Sequence, residues 1–375
     1  MENSTKRKKE RETLIDIMKA VMILVVSFYH LVYRTKDGFT DRAIREVGYL
    51  TIPFFFMLSG YFYRKSDMPF GKMLAHRMKE ILLPAVIVTG IMLIVLGPYY
   101  ALVYGYGFKE WIEDVTITYL RPELTAVLFP SFGEGGQLFQ NISPVWYIWT
   151  LSWSSLLFYL VMRISYDRAE KMAVPVCVMC VMIFAGALLY AYGPALSWTL
   201  QLVPLYTGIM MMGTFIARYR VFEKLKALPL LPSVLISVVF GALHFLLFDN
   251  FGMDGMYLGI LGEKDILTAF IFVIQTLIGG FCIFTLARIL EKIPVMKDAL
   301  AWTGRNTLTI LLLHAEFGGL AADMLHTYNK PGLHWYLDPL PAETVIKSVI
   351  SFIIAMAGCV IVILLKEKTA KRRLK

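Results

Sequence analysis

Three ionisable side chains lie in one apolar stretch near the start of the chain: Asp16, Lys19 and His30. An ionisable group in the hydrocarbon of a membrane is costly and is therefore a candidate for function. If residues 14–33 form one helix, Lys19 and His30 share a face to within about 20° and lie about 16 Å apart along its axis. Asp16 is one turn from Lys19 and can pair with it. Such a stripe offers an ammonium group for an anion at one end and an imidazole for proton transfer at the other.

Each of these residues also has a structural interpretation. Lys19 can extend its ammonium group to nearby lipid headgroups, with Asp16 as its partner. His30 can be a hydrogen-bonded histidine at the membrane interface. The three together on one face favour function over these alternatives.

Further candidate residues lie elsewhere in the chain. His314 lies about 13 Å along an apolar helix that begins near Asn306, close to mid-membrane, where an imidazole needs a polar partner. Arg77 and Lys79 precede another apolar stretch, where cations can hold the phosphates of a cytoplasmic cofactor or only mark the cytoplasmic side. The 6 histidines are scattered without metal-ligand spacing, so we expect no metal site.

The composition shows which elements must position these groups. Hydrophobic residues make up 57% of the chain, charged residues only 17%, and the mean hydropathy is +0.61. The apolar residues come in blocks of about twenty, long enough for a helix to cross a hydrocarbon core of about 30 Å. In lipid the backbone must satisfy its own hydrogen bonds. The sequence therefore predicts an all-α integral membrane protein.

We predict ten transmembrane helices, near residues 14–33, 46–63, 81–97, 145–162, 172–190, 198–217, 231–248, 266–287, 306–322 and 344–365. On this layout 27 of the 37 Lys and Arg residues fall on one side of the membrane and 8 on the other, while Lys19 and Lys347 lie within spans. The basic side is cytoplasmic by the positive-inside rule, which places both termini in the cytoplasm. The formal net charge of +9 then reflects topology and contact with anionic lipid, and we expect no nucleic-acid partner.

The layout divides the chain into a basic cytoplasmic tail (1–13), one transmembrane domain (14–365) and a second basic tail (366–375). One extracytoplasmic loop, residues 98–144, is long and carries several tyrosines and carboxylates together with Trp111. Such a surface suits a sugar or polyol ligand. An interfacial cap whose aromatic rings rest at the lipid headgroups is an equal alternative.

Four segments, in order along the chain, resemble motifs of the membrane-bound acyltransferase-3 family, which includes fucose-4-O-acetylase-like proteins. They are the basic-x10-His spacing of Lys19 and His30, the segment FFFMLSGYF at Phe54–Phe62, the segment PVWYI at Pro144–Ile148, and the block GRNTLTILLLH at Gly304–His314. In one respect the sequence departs from the family. The R-x-x-R pattern that enters the third span is here Arg77 followed by Glu80, with Lys79 the nearest cation.

The resemblance implies ten spans and transfer of an acyl group, often acetyl, from cytoplasmic acyl-CoA. The acceptor it implies is a hydroxyl or amine on an extracytoplasmic or lipid-linked carbohydrate or on a small molecule. We accordingly expect an acetyl-CoA-dependent O-acetyltransferase that is a multi-pass protein of a bacterial cell membrane and uses no metal. His30 is then the general base, with Lys19 and Asp16 as further catalytic residues.

The other expected contacts involve Arg77 and Lys79 for the donor, Ser59, Asn306 and His314 for orienting it, and Trp146 and Trp111 for the acceptor. An acyl-histidine intermediate and direct transfer are both open. The alternative function is a transporter or flippase of a polar glycan or small molecule, because ten helices with intramembrane charges also fit that class. The sequence specifies neither the acceptor nor the acyl chain.

Overall fold

The secondary structure is entirely helical in the segments that the computed structural model describes, which are residues 2–32, 38–65, 68–88, 91, 94, 145–167, 172–193, 196–251, 266–327 and 341–373. The α-helices in these segments are α1 (Glu2–Val32), α2 (Gly38–Tyr61), α3 (Phe70–Arg77), α4 (Val145–Ser165), α5 (Ala173–Tyr192), α6 (Val203–Arg218), α7 (Val221–Ala227), α8 (Leu230–Phe251), α9 (Ile266–Leu290), α10 (Pro294–Arg305), α11 (Thr307–Thr327) and α12 (Pro341–Arg373). The all-α class predicted from composition is confirmed.

Within the described segments, 7 helices are long and apolar enough to cross a membrane. These candidate spans are Thr13–His30, Tyr147–Ser165, Ala173–Tyr192, Leu200–Arg218, Leu230–Leu247, Ile266–Leu290 and Ile346–Arg372. The second predicted span corresponds to α2, whose apolar part Thr51–Tyr61 is shorter, and the ninth corresponds to α11. The third, residues 81–97, is described only to residue 88 and at 91 and 94. The total of ten and the orientation therefore stay predictions.

Burial separates central helices from helices that face lipid. The span in α6 is 72% buried and that in α9 61%, whereas the span in α8 is only 11% buried. The exposed side chains of the outer helices are large and apolar, as at Leu231, Val238 and Ile361. Such surfaces match the lipid chains that surround a membrane protein. The span in α1, which carries the candidate residues, is 56% buried and belongs to the interior set.

Two glycines allow α2 and α6 to pack backbone to backbone. A Cβ atom at Gly60 would collide with the Met210 carbonyl group on α6, and one at Gly213 would collide with the Met57 carbonyl group on α2. Thr214 also donates to the Gly60 carbonyl oxygen at 3.0 Å. Small residues at helix contacts are typical of membrane proteins. The glycine of the FFFMLSGYF segment therefore has a packing role.

Side-chain contacts join segments that the positive-inside rule assigns to the cytoplasm. Lys226 on α7 pairs with Glu291, just after α9, at 3.0 Å. Trp302 on α10 donates to Glu367, near the end of α12, at 3.0 Å. Each of these contacts joins two segments that the predicted alternation of spans assigns to the same side of the membrane.

Candidate active site

Two histidines that are far apart in the sequence meet inside the bundle. His30 Nδ1 and His314 Nε2 lie 2.7 Å apart, which is a hydrogen-bond distance. The two rings are stacked, with centroids 5.0 Å apart and an interplanar angle of 18°. His314 is fully buried and His30 is partly buried. A pair of imidazoles in an apolar interior is an arrangement that can hold and transfer a proton.

The hydrogen bonds determine where the protons of this pair lie. His314 Nδ1 is 2.9 Å from the Ile310 carbonyl oxygen, which can only accept, so Nδ1 carries the proton. A neutral His314 therefore presents a bare Nε2, which accepts the proton of His30 Nδ1. A neutral His30 then has its lone pair on Nε2. That nitrogen is the one able to accept a proton from a substrate or to attack an electrophile.

The contact between α10 and α1 brings the two histidines together. A Cβ atom at Gly304 would collide with the Asp16 carbonyl group, so α10 meets α1 backbone to backbone at this level. From Thr307, α11 continues for about 10 Å to His314. His30 lies about 21 Å beyond Asp16 along α1. Because contacts are made at both levels, α11 and α1 run in the same direction. The segment from Lys19 to His30 and the segment Gly304–His314, which carry the first and last of the four motifs, thus pack against each other.

Asp16 binds two cations toward the other end of the α1 span. Its Oδ1 lies 2.7 Å from Lys19 Nζ, and its Oδ2 lies 3.7 Å from Arg305 Nη1. The pairing of Asp16 with Lys19 was expected from their spacing, whereas the contribution of Arg305 was not. One carboxylate opposite two cations leaves this cluster with a net positive charge. The cluster therefore both joins α1 to α10 and offers attraction for an anion.

Lys19 and His30 lie on one uninterrupted helix, since α1 runs from Glu2 to Val32. This continuity is the condition on which their predicted spacing of about 16 Å and their shared face depend.

Arg77 is held by Tyr159 of α4 at the predicted cytoplasmic end of the bundle. Its Nη2 donates to Tyr159 Oη at 2.6 Å, and its guanidinium carbon lies 4.8 Å from the centroid of the same ring. A π-helical turn, Met78–Leu82, follows directly, a feature that is frequent at functional sites. Tyr159 also lines a small cavity together with Tyr63 and Arg163.

Arg163 is a second cation at the cavity that Tyr159 lines, and it was not among the residues predicted from the sequence. It lies one turn after Tyr159 and donates to the Met68 carbonyl oxygen at 3.2 Å. Beside it, Tyr63, just beyond the end of α2, donates to Asp167 at 2.7 Å.

Three other predicted site residues have exposed or local positions. Lys79 is exposed. Ser59 is exposed and donates to the Phe55 carbonyl oxygen of its own helix at 2.9 Å. Asn306, between α10 and α11, donates from Nδ2 to the Trp302 carbonyl oxygen at 3.0 Å. The donor contacts expected of these residues stay predictions.

Two expected acceptor contacts fall outside what the structure describes. Trp111 lies outside the described residues, and the side chain of Trp146, at the start of α4, does too. Their contacts with an acceptor stay predictions. Among the described residues, no group of three or more His, Cys, Asp or Glu side chains could hold a metal ion.

The direct contact between His30 and His314 is the feature that sequence reasoning missed. His314 was expected only to orient the donor. A mid-membrane imidazole needs a polar partner, and that requirement was the available signal. The sequence could not identify His30 as the partner, because the choice depends on how α11 packs against α1.

A family model described as an acyltransferase domain matches residues 13–365, which is nearly the whole chain. No curated protein and no solved structure gives a significant match to the chain. The matched range contains both histidines, the Asp16 cluster and Arg77.

Proposed function

Since this chain belongs to the membrane-bound acyltransferase-3 family, we propose that it transfers an acyl group, acetyl in the first instance, from cytoplasmic acyl-CoA to a hydroxyl group of an extracytoplasmic or lipid-linked carbohydrate. That the chain is a membrane acyltransferase follows from the family; the donor, the acceptor and the direction of transfer are the proposal. The observation that supports it most is the hydrogen bond between His30 and His314. It places the lone pair of a neutral His30 on Nε2, the nitrogen that serves as the base in this proposal.

His30 acts as the general base in this proposal. Its Nε2 accepts the proton of the acceptor hydroxyl group while that oxygen attacks the carbonyl carbon of the thioester. The resulting imidazolium keeps its Nδ1–H bonded to His314, and a hydrogen bond to a charged group is stronger than one between neutral groups. When the C–S bond breaks, the proton passes from Nε2 to the departing thiolate of CoA. The ring returns to its neutral form.

The donor is proposed to enter at the basic end of the bundle. Arg77, oriented by Tyr159, and the exposed Lys79 offer cations for the phosphates of CoA. The Asp16 cluster lies further along, with its net positive charge. The distance of about 16 Å from Lys19 to His30 is comparable with the reach of a pantetheine arm. A donor anchored at the basic end can therefore present its thioester to His30.

The acceptor is proposed to arrive from the opposite end. His30 lies near the end of α1 that is remote from the basic face, and the sequence predicts that residues 98–144, which precede α4, form an extracytoplasmic loop. Its aromatic and acidic residues suit a carbohydrate. The acceptor hydroxyl would then reach the thioester without crossing the membrane.

The test is release of CoA by the purified protein in lipid nanodiscs. Acetyl-CoA is supplied with a panel of monosaccharides and lipid-linked glycans, and free thiol and acetylated product are measured. Since general-base catalysis contributes about 100- to 10,000-fold, His30→Ala should lose at least about 100-fold in turnover. His76→Ala is the matched control, because His76 is an exposed histidine that pairs with Glu80 at 3.2 Å. Near-normal turnover by His30→Ala would rule out the base assignment, and no CoA release from the unmodified protein with any acceptor would rule out the reaction.

A further inference from the structure

Ser27 has a buried hydroxyl group that the fold itself does not use. Its side chain has 0% exposure, and its Oγ has no hydrogen-bond partner in the part of the chain that the structure describes. Burying a hydroxyl group without a partner is unfavourable, and an alanine would avoid this cost. A buried hydroxyl group that has no partner among the described residues is therefore a candidate to bind a ligand.

Other hydroxyl groups in this bundle show what Ser27 could have done instead. Ser152, Ser165 and Thr276 donate to the carbonyl group four residues earlier in their own helices, at 2.8, 2.7 and 2.9 Å. This back-bonding is the usual way for a helical hydroxyl group to be satisfied in an apolar surrounding. Ser27 has the Ile23 carbonyl group at the same offset and makes no bond with it.

The position of Ser27 indicates what the missing partner is. Ser27 lies one turn before His30 on α1, so the two side chains are neighbours on the helix surface, with Cβ atoms about 5–6 Å apart. It is about 4.5 Å closer than His30 to the basic end of the bundle. A thioester that enters from that end reaches the level of Ser27 first, and an acceptor that enters from the other end reaches His30 first. The carbonyl group under attack then lies beside both side chains.

We propose that Ser27 is a catalytic residue whose hydroxyl group donates a hydrogen bond to the oxygen of the thioester carbonyl group as that oxygen becomes negatively charged. This inference rests on the proposed function. The acceptor oxygen forms its bond to the carbonyl carbon, its proton goes to His30 Nε2, and the former carbonyl oxygen carries the negative charge that Ser27 stabilises. Collapse of this intermediate breaks the C–S bond and returns the His30 proton to the thiolate. Ser27 keeps its own proton throughout.

Two other buried hydroxyl groups that lack a partner among the described residues serve as controls. Ser237 on α8 and Thr285 on α9 also have orphan oxygen atoms. Ser237 lies in the second turn of α8, and Thr285 lies in the last turns of α9, so both are toward the basic end of their spans. They are remote from the level of His30. Ser237→Ala makes the same chemical change as Ser27→Ala away from the proposed reaction.

The experiment measures kcat and KM for acetyl-CoA, together with the thermal unfolding midpoint, for the full-length protein in nanodiscs. Removing one donor to a developing oxyanion lowers kcat by about 100- to 1,000-fold, which we expect for Ser27→Ala. We expect KM to change little and the unfolding midpoint to stay the same or rise, because the variant loses an unsatisfied buried group. Ser27→Thr keeps a hydroxyl group and should recover much of the lost rate. Ser237→Ala should retain the unmodified kcat.

The possible results separate this inference from the proposed function. Full turnover by Ser27→Ala, alongside a large loss in His30→Ala, overturns the role of Ser27 and leaves the acyl transfer standing. A lower unfolding midpoint in Ser27→Ala without rescue by Ser27→Thr shows a structural residue and also overturns it. If the unmodified protein releases no CoA, the proposed function is refuted and this inference with it.

Discussion

Replacing His314 by alanine should slow the chemical step without abolishing it. The bond of 2.7 Å between His30 and His314 exists before the reaction, but in the transition state its donor is a positively charged ring. A hydrogen bond between neutral groups contributes about 0.5–1.5 kcal/mol, and one to a charged group about 1.5–3 kcal/mol. The difference, about 1–2 kcal/mol, is the part that assists catalysis. It corresponds to a loss of about 5- to 30-fold in kcat.

The assay compares CoA release by His314→Ala, His314→Gln, His30→Ala and the double variant His30→Ala/His314→Ala. In His314→Gln the side-chain amide oxygen can accept the proton of His30 Nδ1, so this variant should retain most of the rate. In a variant without His30, the hydrogen bond to His314 can no longer assist the base. The double variant should therefore be no slower than His30→Ala alone, a non-additivity expected of residues that act as a unit.

Multiplicative losses in the double variant would refute this reasoning. They would show that His314 acts separately from His30, for example on the donor, as the sequence had suggested. A raised KM for acetyl-CoA in His314→Ala with kcat unchanged would point to the same conclusion. Since loss of a buried side chain leaves a cavity, the rates should be compared well below the unfolding midpoint of each variant.

Four further predictions concern the other contacts. Asp16→Asn leaves the Lys19 and Arg305 cations without their shared carboxylate and should lower the free energy of unfolding by about 1–3 kcal/mol. Thermal unfolding in nanodiscs measures this change. An unchanged midpoint would show that the ion cluster does not stabilise the fold. Lys19→Ala should weaken acyl-CoA binding, and unchanged affinity would limit Lys19 to a structural pair. Arg77→Ala should raise KM for acetyl-CoA more than Tyr159→Phe does. The phenylalanine keeps an aromatic ring beneath the guanidinium group of Arg77 and loses only the hydrogen bond. Equal KM values for the two variants in steady-state kinetics, or no change in either, would contradict a role for Arg77 in donor binding. Gly60→Leu should prevent assembly of the bundle, because no side chain fits against the backbone of α6, and a folded, monodisperse variant in size-exclusion chromatography would disprove that packing.

The class of fold could be predicted because lipid imposes strong rules on sequence. Apolar blocks of helix length and the one-sided Lys and Arg residues are local properties that need no knowledge of packing. For the same reason the spacing of Lys19 and His30 was predictable, since both lie on one helix. The Asp16–Lys19 pair, three residues apart at 2.7 Å, belongs to the same category.

The contacts between helices could not be predicted in the same way. His314 meets His30, Arg305 meets Asp16, and Tyr159 meets Arg77 only because α10, α11 and α4 pack as they do. The Gly304 contact with Asp16 depends on a close approach of two backbones. A glycine permits such an approach, but its presence in the sequence does not predict one. The resemblance to a family indicated which segments matter, but not which side chains touch.

The most direct test of the proposed mechanism uses proteoliposomes in which the orientation of the protein is known. Labelled acetyl-CoA is supplied on one side of the membrane, and the acetylated acceptor is sought on the other. Transfer should occur only when acetyl-CoA meets the face bearing the basic segments, with product on the opposite face and none from His30→Ala. Equal transfer from either side, or transfer that survives the loss of His30, would contradict a donor path that runs from the cationic end of the bundle to the histidine pair.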